Sequence, residues 1–150
     1  MRTDTILDML RWEQSRETQK KGITMALQQD DLKFLLYYSE DPEYSHNCAT
    51  VFTTLEYTKC AKYFDELFSW IEDPNSPDAF MIMEYLSGAP SDLLYDSLVR
   101  AISACVKRKN IINANSIKAV IYENKELLAL LEQNEPQLFS SYLLLLNHIE

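Results

Sequence analysis

A chain of 150 residues, 47% hydrophobic and 25% charged, can bury roughly 70% of its unfolded surface in one core, and its composition excludes general disorder. Two glycines and five prolines are too few for the tight turns of a β-sandwich or barrel. The same scarcity excludes the glycine-rich phosphate loops of Walker and dinucleotide-binding folds. Fourteen Lys and Arg against 23 Asp and Glu give a net charge of −9, which disfavours a broad nucleic-acid-binding face. Acidity of this kind keeps a protein monodisperse, and its sharper reading is the steering of a basic partner.

Helical spacing runs from end to end. Thr3 or Asp4 can cap a short first helix carrying Ile6, Leu7 and Leu10. A second is predicted from about Ser15 to Gln28, with Gly22 as its weak point. Leu32, Phe34, Leu35 and Leu36 predict a third short helix or turn. Asp41 and Pro42 read as the cap and first residue of a helix through Cys48, Val51, Phe52 and Leu55. Thr58 reads as the cap of a fifth, in which Ala61, Phe64, Leu67, Phe68 and Ile71 recur at three- and four-residue steps.

After Asp73-Pro74-Asn75-Ser76-Pro77, a helix carrying Ala79, Ile82, Met83 and Leu86 is predicted to end at Gly88 in a left-handed conformation. Pro90-Ser91 opens the clearest helix, with Leu94, Leu98, Ala101, Ile102 and Cys105 on one stripe. Lys107-Arg108-Lys109 suits its C-terminal dipole. Asn113 to Ser116 reads as a polar turn, followed by helical spacing from Ile117 to about Glu132. A last helix starts at Asn134 and Pro136. The chain is therefore predicted to be all-α and a single domain over 1–150, with about eight or nine helices. Glu40-Asp41-Pro42 returns as Glu72-Asp73-Pro74, 32 positions on, each ahead of a helix. A recurrence of helix pairs at that spacing points to an α-α superhelix, a short stack of antiparallel pairs.

The segment Leu67 to Ala79, reading LFSWIEDPNSPDA, resembles the signature of a bacterial family of short HEAT-like proteins whose domain has no known function. Trp70, Asp73, Asn75, Pro77 and Ala79 match that pattern, and Glu17–Ile23 and Tyr44–Asn47 resemble the family's upstream stretches. Ser76 stands where relatives carry a tryptophan, and no tryptophan follows Trp70. The resemblance covers about residues 15–105. It implies the α-α superhelical fold and no activity, with some relatives resembling immunity-type proteins beside secreted toxins. Read physically, Trp70 is a buried anchor, and Asp73 and Asn75 satisfy backbone N–H groups at a helix start.

Few residues suggest chemistry. Glu43-Tyr44-Ser45-His46 is a Glu-x-x-His pair, but a di-iron site needs a second pair, and Leu145 stands three positions before His148. Three cysteines, Cys48, Cys60 and Cys105, form no CxxC and fit small buried hydrophobes in a reducing compartment. No carboxylate pair and no Gly-x-Ser-x-Gly elbow stands out. Nine tyrosines are the unusual feature, and Tyr37, Tyr38, Tyr85 and Tyr95 are candidates for contact with a partner. Met1 to Gln14 has charges too closely spaced for a signal peptide's apolar region, and no run approaches the length of a membrane span. The expectation is a cytoplasmic, non-catalytic interaction module without cofactor, nucleic acid or membrane, binding a basic protein. The alternatives are a metal- or small-molecule-binding bundle using Glu43 and His46, or a self-associating subunit.

Overall fold

Side-chain caps decide where several helices begin. Ser15 accepts a hydrogen bond from the Thr18 N–H, Asn110 from that of Asn113, and Asn124 from that of Leu127. Pro136 occupies a first helical turn, where its missing N–H costs nothing. The computed structural model describes residues 3–147. Its elements are α1 (Thr3–Met9), α2 (Arg16–Leu27), α3 (Lys33–Leu36), α4 (Ser45–Thr54), α5 (Tyr57–Cys60), α6 (Phe64–Trp70), α7 (Ala79–Ser87), α8 (Ser91–Arg108), α9 (Ile111–Ile121), α10 (Lys125–Asn134) and α11 (Pro136–Leu146), with a 3-10 turn at Ala61–Tyr63. The protein is all-α, and no strand occurs among the described residues.

The helices form two layers. In one, α2, α4, α7, α9 and α11 each pack on the next; in the other, α6 packs on α8 and α8 on α10. The pairs α1–α2, α6–α7, α8–α9 and α10–α11 join the layers. Within a layer successive helices run the same way, since Arg100 on α8 bonds Asp65 near the start of α6 and Arg108 reaches Glu72 just past its end. The long-range side-chain hydrogen bonds share one reach. Tyr63 to Leu32, Ser45 to Asp78, Asn124 to Ser91 and Tyr142 to Ala114 join positions 31, 33, 33 and 28 apart. Each links one helix pair to the next, as in a stack of repeats.

Several local expectations are corrected. Asp41-Pro42 makes a turn and not a helix start, because the Asp41 carboxylate accepts the Glu43 N–H and its carbonyl accepts those of Tyr44 and Ser45. Helix α4 begins three residues after Pro42, at Ser45. The fifth helix is broken into α5, the 3-10 turn and α6. The break turns Tyr63 inward, so that its hydroxyl accepts the Leu32 N–H at 2.7 Å and its ring meets Phe52 edge-on. Asn113 to Ser116 is helical and buried inside α9, where the Ser116 hydroxyl donates to the Asn113 carbonyl. A second break, capped by Asn124, separates α9 from α10. Gly88 ends α7 at φ −93°, not in the left-handed region.

Gly22 and Gly88 are there for space. A Cβ on Gly88 would meet the Tyr57 hydroxyl at 2.8 Å, and one on Gly22 would lie 2.8 Å from Met9 Cβ and 3.3 Å from its carbonyl carbon. Gly22 thus lets α1 lie directly on α2. Alanine there gains about 1 kcal/mol of helix propensity, but overpacking costs about 1–3 kcal/mol. Met9 is fixed by its own backbone and cannot swing aside. Gly22→Ala is expected to lower the urea midpoint without changing the slope, and an unchanged or raised midpoint would contradict the close approach.

Burial also sets a pH limit. It pushes the Cys48 thiol up to about 12 and those of Cys60 and Cys105 to about 11, and it raises the Tyr85 and Tyr142 phenols. In the unfolded chain these groups ionise near 9.0 and 10.0. The unfolded state thus loses protons first, and stability that is full below about pH 9 falls as pH rises further. Urea midpoints measured from neutral into alkaline pH are expected to decline in that window.

Candidate functional site

The junction between α6 and α7 explains the sequence signature. Trp70 is 5% exposed, and its Nε1–H donates to the Pro77 carbonyl at 2.9 Å. The Asp73 carboxylate accepts the Asn75 N–H at 2.9 Å and the Asp73 carbonyl that of Ser76 at 3.0 Å. Asp41 makes the same pair of bonds to Glu43 and Tyr44. The repeated Glu-Asp-Pro is therefore one turn used twice, each time leading into a helix of the same layer. Ala79, buried, starts α7.

Asp78 closes this junction. It adopts a left-handed conformation at φ 59°, which costs a residue with a Cβ about 1–2 kcal/mol. Its carboxylate accepts the Ser45 hydroxyl at 2.7 Å and faces His46 Nδ1 at 3.0 Å. The His46 ring in turn meets Trp12 edge-on at 5.2 Å. Glu43 precedes α4 and does not share its face with His46. Its carboxylate accepts the Glu13 N–H, its carbonyl accepts that of Trp12, and Arg11 lies 3.8 Å away. Each half of the Glu-x-x-His pair thus holds a different neighbour. Among the described residues no group of three His, Cys, Asp or Glu side chains is placed to hold a metal ion; His148 lies outside them. The three cysteines are buried and unpaired with one another.

The candidate tyrosines do not share one face. Tyr85 stacks on Tyr57 at 4.6 Å; its hydroxyl donates to the Leu55 carbonyl while that of Tyr57 donates to the Tyr85 carbonyl. Tyr38 packs on Tyr44 at 4.7 Å. Tyr95 is half-buried in α8, its hydroxyl enclosed without a partner. Tyr37, 81% exposed, lies on a surface groove of about 350 Å³ between α3 and α6.

That groove is the best candidate site. Lys33, Leu36, Tyr37, Ser39 and Glu40 form one wall, and Glu66, Ser69 and Trp70 the other. Half-buried Glu66 contributes to that wall, and its Oε2 is shut off from solvent with no hydrogen-bond partner among the described residues. A donor in the groove meets this oxygen only when the side chain turns outward. The neighbouring groove between α6 and α8 differs, because Arg100 pairs there with Asp65 and Arg108 with Glu72. Its charges are mutually satisfied. Glu66 was not marked by the sequence, since an acid in a first helical turn reads as complementing the dipole. Only the stacking of α6 beside α3 gives it a groove.

Asp78 yields a direct test. Asp78→Ala leaves the Ser45 hydroxyl, 1% exposed, without its acceptor, and is expected to cost about 1–3 kcal/mol in chemical denaturation. Asp78→Gly loses the same bond but relieves the left-handed backbone, so it should be about 1–2 kcal/mol milder than the alanine variant. Equal effects would contradict the strain.

Comparison with known proteins found no family model, no curated protein and no solved structure that matches this chain.

Proposed function

We propose that the protein is a non-catalytic interaction module that receives a basic segment of a partner protein in the groove between α3 and α6. The carrying observation is a groove that holds half-buried Glu66, whose Oε2 has no hydrogen-bond partner, on one wall and the exposed ring of Tyr37 on the other. An arginine or lysine entering the groove would donate to Glu66, lie near Glu40, and present its charge to an aromatic face. The net charge of −9 supports the same reading at longer range, by steering a positive surface toward the chain. Lys33 on the lip selects against a uniformly basic ligand and favours a segment with its cation in register with Glu66. An immunity-type protein holding a basic toxin is the most concrete form of this reading, and it agrees with the family resemblance of the α6–α7 junction.

The reading is tested by affinity capture from the native host's lysate at low and high salt, with wild type beside Glu66→Lys and Glu40→Lys. The expected result is a basic protein retained by the wild type at low salt, released at high salt, and bound at least tenfold more weakly by Glu66→Lys. Removing one member of a buried charge pair typically costs about 2–5 kcal/mol. Equal retention by wild type and both variants, or retention indifferent to salt, would overturn it.

A further inference from the structure

We infer that the adjoining starts of α7 and α9 form a docking surface for an acidic protein segment with apolar side chains, received by Phe80, Ile112, Lys107 and Lys109. This surface is separate from the α3–α6 groove, whose ligand carries the opposite charge. Charge is unevenly spread along the chain. Among 23 acids in all, none falls between Ser97 and Tyr122, a stretch that carries Arg100, Lys107, Arg108, Lys109 and Lys118. Arg100 and Arg108 are taken up by Asp65 and Glu72. Lys107 and Lys109 are exposed and pair with no acid among the described residues.

Lys109 holds a backbone conformation that favours glycine. It lies just past α8 at φ 53° and ψ 41°. Its own N–H bonds the Val106 carbonyl at 3.1 Å, and the Asn110 N–H bonds that of Cys105 at 2.9 Å. At such a helix stop glycine avoids the cost of a Cβ in the left-handed region. The helix dipole does not account for a lysine there, because Lys107 and Arg108 already stand in the last turn. Asp78, also left-handed, is held by Ser45 and His46. No such bond holds the Lys109 side chain among the described residues, so the strained backbone presents a free cation.

Apolar surface lies beside that cation. The Arg108–Glu72 pair brings the ends of α6 and α8 together, and the short link Lys109-Asn110 turns α9 back beside α8. Helices α7 and α9 therefore start side by side, packed on each other. Phe80 and Ile112 are each the second residue of their helix, and they are 79% and 62% exposed. Ser87 and Ala119, at i+7 from each, line one surface groove, so both rows look out on the same side. Glu84 lies one turn further from the cations. Large exposed apolar side chains beside unpaired cations select a segment that is both apolar and acidic. A phosphate backbone would leave Phe80 and Ile112 uncovered.

The test is fluorescence anisotropy of the whole chain with a labelled peptide in which leucines are set among glutamates. Two control peptides carry glutamine for the glutamates or serine for the leucines. The expected result is saturable binding of the first peptide that weakens as salt rises, with both controls at least tenfold weaker. Phe80→Ser and Ile112→Ser should each weaken it at least tenfold while the helical circular dichroism stays unchanged. Lys109→Gly should raise the urea midpoint, because it relieves the left-handed backbone, and yet bind the peptide at least threefold more weakly. Tyr37→Ala, in the α3–α6 groove, should leave the affinity unchanged. No binding by the wild type, equal binding of either control, or a Lys109→Gly variant that binds like the wild type would overturn the inference. So would loss of binding in Tyr37→Ala, which would place the peptide in the groove.

Discussion

A pair of short helices has two apolar faces and can bury only one of them within the pair. Every other feature follows from that constraint. The second face must be covered by the next pair, so α2, α4, α7, α9 and α11 line up in succession and α6, α8 and α10 do the same behind them. The polar bonds obey the same rule: Tyr63 reaches Leu32, Asp78 reaches Ser45 and Asn124 reaches Ser91, each one pair away. The buried side chains from Ile6 to Leu145 join into one continuous core between these helices.

The joints carry the precision of this arrangement. Asp41 and Asp73 fold the chain back through turns that share the same pair of hydrogen bonds. Asp78 then holds the start of α7 against that of α4 in a backbone conformation that residues with a Cβ avoid. Strain at that residue is offset by satisfying a buried hydroxyl. Trp70 locks the same corner from behind, its ring in the core and its N–H on the Pro77 carbonyl. Structural punctuation thus accounts for Trp70, Asp73, Pro77 and Ala79 of the signature. The expected cap from Asn75 is not made, because only its own N–H bonds, to Asp73 in the turn. The tryptophan also lines the α3–α6 groove.

The helical character was legible because periodicity reports burial on one face of a local segment. The 32-residue echo was legible too, since one turn needs the same residues wherever it occurs. The breaks were not. Thr58 to Ile71 keeps helical spacing throughout, but Tyr63 must swing toward Leu32, a partner 31 positions away. Asn113 and Ser116 look like turn residues, but their polar groups bond each other inside α9. Glu43 and His46 have the spacing of a ligand pair, and only the fold shows that one holds Glu13 and the other Asp78. The groove was half legible. Tyr37 and Trp70 stood out by type, whereas Glu66 gains its meaning from α3 lying across from it.

The three thiols have a use that follows from where the stack puts them. Cys48 lies in α4, Cys60 in α5 and Cys105 in α8, each buried and each held protonated by its surroundings. A thiol in that state reacts only when its own neighbourhood opens. Local openings around α4, α5 and α8 need not coincide. The chain therefore carries three native clocks along its length, read by a thiol reagent one cysteine at a time. Their relative rates would trace the direction in which the stack comes apart.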